Sequence, residues 1–105
     1  MRKLKINPQV YDDLNDIKQY ISKDNPEQAN KVISEIISDI ERLQEFPEIG
    51  SHLNNKIHIN AKYRYIITYS YATIYYLDNS NIYVSTVLHL KKDFSAINFD
   101  ILKND

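Results

Sequence analysis

In the second half of this 105-residue chain, Arg64, His89, Lys91 and Lys92 are of types that act on phosphate esters. A guanidinium presents forked donors that suit phosphate oxygens. An imidazole has the ordinary pKa that suits proton transfer near neutrality. Two ammonium groups can contact phosphates, and Glu48, just after Pro47, is a carboxylate that can take a proton. Each residue also has a plainer reading. Arg64 can pair with an acid such as Glu48 or Asp93. His89 can end a strand by bonding into the turn that follows. Lys91 and Lys92 can meet an acidic protein surface, or simply solvate a strand end. Glu48 can be an exposed turn residue. The tyrosines from Tyr63 to Tyr83 can stack on bases, or they can pack a sheet.

Composition removes other chemistries. There is no cysteine, which excludes a disulfide framework, thiolate catalysis and cysteine-ligated metal, and suits a reducing compartment. The one glycine, Gly50, is too few for a phosphate-cradling glycine loop or a nucleophile elbow. His52 and His58 lie six apart with no acid between them, so no metal site is expected, and no cofactor. No apolar run is long enough to span a bilayer, and Met1-Arg2-Lys3-Leu4-Lys5 leads into no apolar signal core. A single cytoplasmic domain over residues 1–105 is expected. Net charge is −1 with a pI near 6.3, unlike a strong nucleic-acid binder. The charge is uneven: residues 1–55 carry seven Lys/Arg and ten Asp/Glu, whereas Lys56 to Lys92 carry five bases and one acid, Asp78. Such asymmetry can steer the second half toward an acidic partner.

The elements that must position these residues are legible as an α+β order. Residues 2–6 alternate polar and apolar as a short strand does. Asn7-Pro8 is a cap followed by a first-turn proline. Val10, Leu14, Ile17 and Ile21 then make one helical stripe ending near Lys23-Asp24. Asn25-Pro26-Glu27-Gln28 starts a second helix with a capping box. The broader stripe from Ala29 through Ile37 to Leu43 predicts a more buried helix, stopped near Phe46 by Pro47. Residues 47–51 read as a turn, and Asn54 to Lys62 as loop or edge strand. The β-branched and aromatic runs 63–68, 71–77 and 82–88 predict an antiparallel three-stranded meander, with the helical hairpin packed on one face of the sheet. Residues 82–88 place apolar side chains on both faces. That suggests a second face covered by a partner, by the tail beyond Lys91, or by tyrosines with wet hydroxyls.

The order of strand, helical hairpin, Phe46-Pro47-Glu48-Ile49-Gly50 turn, Arg64-bearing strand, meander and closing Val87-Leu88-His89-Leu90-Lys91-Lys92-Asp93 resembles the RelE/ParE superfamily of bacterial type II toxins, from Leu4 to about Phe94. The resemblance implies a toxin neutralised by a cognate antitoxin that wraps it, and it implies two targets. ParE-like members inhibit DNA gyrase. RelE-like members cleave messenger RNA on the ribosome, for which Arg64, His89, Lys91 and Lys92 would be the catalytic set. The low pI, the thin basic cluster, the one arginine among the candidate active positions and the long hairpin favour the ParE-like branch. A third outcome is an inactive toxin that keeps antitoxin binding and operon regulation. Antitoxin or target contact is expected at Tyr71, Tyr75, Tyr83, Val87, Lys91 and Lys92.

Overall fold

Two asparagine–proline pairs set the start of each helix. The structure, a computed structural model, describes residues 2–52 and 62–91. Asn7 caps α1 (Pro8–Ser22), its Oδ1 accepting from Gln9 N–H at 2.9 Å. Asn25 caps α2 (Pro26–Arg42) in the same way, accepting from Gln28 N–H at 3.1 Å. In both, proline occupies the first turn, where its missing N–H is not needed. Val10 and Ile17 of α1 and Ala29, Val32, Ile36 and Ile40 of α2 are buried, and Leu43 follows them into the core. The α2 stripe is narrower than its sequence pattern suggests, because Ile37 is exposed.

The second helix ends at Arg42, four residues before the expected stop at Phe46. Leu43, Gln44 and Glu45 N–H groups bond back to Ile40, Glu41 and Arg42 carbonyls. This three-residue spacing is the tightened winding that often finishes a helix. It brings the chain to Pro47 already turned out of the helix axis.

The sheet has the order β1-β5-β4-β3-β2. β3 (Tyr63–Thr68), β4 (Tyr71–Leu77) and β5 (Asn81–His89) form the antiparallel meander. β1 (Lys3–Ile6) joins it parallel to β5, and β2 (Ser51–His52) pairs antiparallel with the outer edge of β3. The β3–β4 link is the two-residue turn Tyr69-Ser70, with Tyr69 at φ 54°. The polar stretch expected as loop or edge strand falls mostly outside the described residues, as does the tail from Lys92.

The mixed pattern of β5 has a local cause. Ile74 pairs with Thr86 but its neighbour Tyr75 pairs with Val84, so Ser85 is an extra, bulged residue. A bulge shifts the side-chain parity of the strand beyond it. Ile82 and Val84 before it, and Val87 after it, all pack in the cluster beneath the helices. Leu88 falls to the cluster on the other face, with Tyr63, Ala72 and Ile74. That second face is not an open patch at its centre: Tyr63, Ala72 and Ile74 are at most 2% exposed in the chain alone.

Asp13 of α1 holds the bulge. Its Oδ2 accepts from Val87 N–H at 2.9 Å and from the Thr86 hydroxyl at 2.6 Å, and its Oδ1 accepts from Gln9 Nε2 at 2.9 Å. Replacing Asp13 with Ala would strand the Val87 N–H in a partly buried position. Asp13→Ala should lower unfolding stability by about 1–3 kcal/mol, read as a drop in urea midpoint at unchanged slope. A loss below ~0.5 kcal/mol would show that the bulge holds itself.

Candidate functional site: the clasped turn and its groove

The turn from Phe46 to Gly50 is fastened to the sheet by two side chains. Tyr75 lies at the centre of β4 on the face beneath the helices, with no exposed surface. Its hydroxyl donates to the Pro47 carbonyl at 2.8 Å and accepts from Gly50 N–H at 2.9 Å. Arg64 of β3, opposite Tyr75 in the register, donates through Nη1 to the Gly50 carbonyl at 3.0 Å and the Glu48 carbonyl at 3.2 Å. Gly50 leaves the room for this. A Cβ there would sit 2.5 Å from the Tyr75 oxygen and 2.8 Å from the Tyr65 carbonyl oxygen.

A turn held at four backbone atoms presents its side chains in fixed positions. Phe46 and Ile49 are 52% and 61% exposed, and Ile67 on β3 is 54% exposed. All three line one groove of about 330 Å³, whose polar rim includes Asp39 and Arg42 of α2. Asp39 accepts from the Thr68 hydroxyl at 2.6 Å and pairs with Arg42 at 3.5 Å. Among the described residues, β2 pairs only with Tyr65 and Arg64 on the outer edge of β3. Among the described residues, no strand pairs with Ile66, Ile67 and Thr68 on that edge, which lies beside an apolar groove.

The residues expected to do chemistry are not gathered here. Arg64 is engaged by the Glu48 and Gly50 backbone carbonyls, and Asp93, one of the two acids expected beside it, lies outside the described residues. Glu48 is exposed and contributes its carbonyl. His89 lies at the far end of the sheet, opposite Tyr71, which in turn pairs with Thr68. Four residues along and two strands across place the Arg64 and His89 backbones roughly 16 Å apart. The His89 Nδ1 accepts from Lys91 N–H at 3.1 Å, and its ring meets Tyr71 edge-on with centroids 5.3 Å apart. It ends the strand as the plainer reading has it. Lys91 is exposed, while Lys92 and His58 lie outside the described residues. His52 is exposed on β2, and no metal-holding group of His, Asp or Glu occurs among the described residues.

The residues expected at a contact surface differ in exposure. Tyr71, Tyr75 and Val87 are buried in the core beneath the helices, and a side chain buried there offers no surface to a partner. Tyr83 is half-buried, its ring stacked on Tyr76 at 4.7 Å. Tyr63 meets Tyr76 edge-on at 5.5 Å, so these tyrosines pack the sheet. The exposed apolar trio Phe46, Ile49 and Ile67 was missed. Its one sequence signal was two large apolar residues flanking Pro47-Glu48 in an otherwise polar turn.

Comparisons with known proteins agree with this architecture. One chain of the structure described as "Chromosomal ParDE TA system from P. aeruginosa" superposes with a TM-score of 0.70 at 18% identity, over 87% of this chain and 98% of that one. At that identity the likeness speaks for the fold: a helical hairpin on one face of an edge-extended meander. The search of the curated proteins gave no match. The family model described as "ParE toxin of type II toxin-antitoxin system, parDE" matches residues 4–94. The chain belongs to this family of type II toxins.

The clasp makes two predictions. Burial pushes the Tyr75 phenol above its ordinary value, against the smaller lowering effects of Gly50 N–H and Arg64. A raised folded-state value means that the Tyr75 contribution is intact below about pH 10 and is lost as pH rises through the folded value. Tyr75→Phe should cost about 2 kcal/mol near neutral pH and make the loss of stability above pH 10 less steep, both measured by denaturant titration across pH. An identical alkaline slope in the variant would remove Tyr75 from that role. Gly50→Ala, which forces a methyl against the Tyr75 oxygen, should cost about 1–3 kcal/mol and expose the turn to proteolysis. A variant as stable and as protease-resistant as the parent would mean that the turn relaxes without strain.

Proposed function

We propose that this type II toxin arrests growth by inhibiting DNA gyrase in the cytoplasm, and that an antitoxin neutralises it by docking at the Phe46–Ile49–Ile67 groove. The observation that carries the docking half is the exposed apolar groove beside the β3 edge at 66–68, which no described strand pairs. An apolar surface of this kind, rimmed by polar residues, is what a protein partner covers. Three large side chains, 52–61% exposed, line it, Phe46 and Ile49 from the clasped turn and Ile67 from β3. Arg42, with its side chain 62% exposed at the rim, favours an acidic residue in the docking segment. Lys91 and Tyr83, toward opposite ends of β5, keep accessible surface for further contacts.

Gyrase inhibition is supported by the match to the ParE family rather than by a site. The separation of Arg64 from His89 and the engagement of Arg64 with the turn weigh against RNA cleavage by that set. No helix among the described residues is long and apolar enough to cross a membrane, so a target within the membrane has no support there.

The test is the purified chain added to gyrase with relaxed plasmid and ATP. Supercoiling should be lost at stoichiometric to micromolar toxin, and addition of the protein encoded beside it should restore supercoiling. Phe46→Asp with Ile67→Lys should retain inhibition and lose that restoration, by tenfold or more in the antitoxin needed, about 1.4 kcal/mol of binding. A preparation that binds its antitoxin, leaves gyrase untouched and stops translation would transfer the assignment to RNA cleavage. One that binds antitoxin and affects neither would mark an inactive toxin.

A further inference from the structure

At the opposite end of the sheet from that β3 edge, a second cavity of about 270 Å³ opens where β1 runs into α1. Lys5, Ile6, Asn7, Tyr76, Tyr83 and Ser85 are among its lining residues. Its floor has an unusual feature. Ser85 is the bulged residue of β5, is 1% exposed, and its hydroxyl finds no hydrogen-bond partner among the described residues. A buried hydroxyl without a partner is costly, and native proteins keep few of them. One that lines a cavity is a donor awaiting an acceptor.

The rest of the lining narrows what that acceptor belongs to. The walls are mostly apolar and aromatic, the usual make-up of a small-molecule site in which a few polar groups fix orientation. Tyr76 and Tyr83 lie nearly parallel, 17° apart with centroids at 4.7 Å. The Tyr83 hydroxyl is committed, donating to Asp78 and accepting from Asn81, so its ring is what remains for a ligand. Cations are close: Lys5 lines the cavity, and the Lys62 ammonium sits 4.3 Å from the Tyr76 ring centroid. Among the described residues no acid lines the cavity, and the first turn of α1 carries none.

From these features we infer that the cavity binds a nucleoside phosphate, with the base against the Tyr83 ring and accepting from the Ser85 hydroxyl, and the phosphate drawn to Lys5. Stacking supplies an attraction that tolerates any base. The ammonium supplies preference for the phosphorylated form. A free nucleotide and an unpaired nucleotide in a strand share this chemistry. The site is separate from the antitoxin groove and stands whether or not that reading holds.

Titration of the full-length protein with AMP, adenosine, inorganic phosphate and a short single-stranded oligoadenylate, followed calorimetrically and by amide shifts of residues 5–7 and 83–85, tests it. AMP should saturate below about 1 mM and adenosine should bind about tenfold more weakly. Ser85→Ala should weaken AMP about tenfold while leaving thermal stability equal or higher, since it removes an unpartnered hydroxyl. Lys5→Gln, at an exposed position, should weaken AMP and leave adenosine unchanged. An oligonucleotide that binds far more tightly than AMP, with the same sensitivity to both variants, would identify a strand as the source. AMP more tightly bound than the oligonucleotide would identify the free nucleotide. Absence of saturable binding by AMP and oligonucleotide at about 5 mM overturns the proposal. So does binding indifferent to both variants, or saturation by phosphate alone.

Discussion

The buried phenol of Tyr75 fixes the turn that carries Phe46 and Ile49. It sits in the middle of the central sheet with no exposed surface, yet ends in a hydroxyl that must be satisfied. A hydroxyl can donate and accept at once, and this one does both to a single turn, giving to Pro47 and taking from Gly50. Phenylalanine would fill the same volume and leave two backbone groups unpaired. The turn must come within reach of the core, which is why residue 50 cannot carry a side chain. Arg64 completes the fastening from the neighbouring strand, closing on two further carbonyls. An arginine that looks catalytic by type is thus one half of a two-sided clasp.

A second constraint operates at the other edge of the core. The bulge at Ser85 lets β5 serve both faces of the sheet: Ile82 and Val84 beneath the helices, then Val87 on the same side after the parity shift. Without it Val87 would turn away and Leu88 would point to the helices. The bulge frees backbone groups, and Asp13 collects the Val87 N–H and the Thr86 hydroxyl. The same insertion leaves the Ser85 hydroxyl buried and unpartnered. One extra residue therefore produces a helix anchor on one side of the strand and a polar cavity floor on the other.

The division between what could and could not be read from the sequence follows the range of the interactions. Asn7-Pro8 and Asn25-Pro26 act within a few residues, and both caps formed as read. The strands 63–68 and 71–77 are set by β-branched and aromatic runs, which are likewise local. The bulge is not local: it exists only because β5 must match β4 and α1 together. Its effect was visible as a broken alternation, but a partner on the second face explains that pattern equally well in one dimension. Val87 lies in the core beneath the helices because the bulge resets its side of the sheet, which one dimension does not fix. Arg64 was legible as structural or chemical, and its backbone acceptors sixteen and fourteen residues away were not. The family resemblance did not depend on these details, because element order and spacing carried it, and the match over residues 4–94 agrees.

The clasp and the groove together bear on how such a toxin is restrained. Burying Phe46, Ile49 and Ile67 would each contribute about 1.5–3 kcal/mol at full burial, less for side chains already half covered. That gain must exceed the cost of ordering whatever segment arrives. A floppy turn would add its own ordering cost and erode the margin. A turn fixed by Tyr75 and Arg64 adds none, because its backbone is already held in the free protein. Rigidity at the core end of the turn is therefore what allows a short segment to bind well at its exposed end. The same logic predicts where weakening mutations act. Loss of the clasp should reduce antitoxin affinity even though neither Tyr75 nor Arg64 lines the groove, because the partner must then order the turn that the phenol no longer holds.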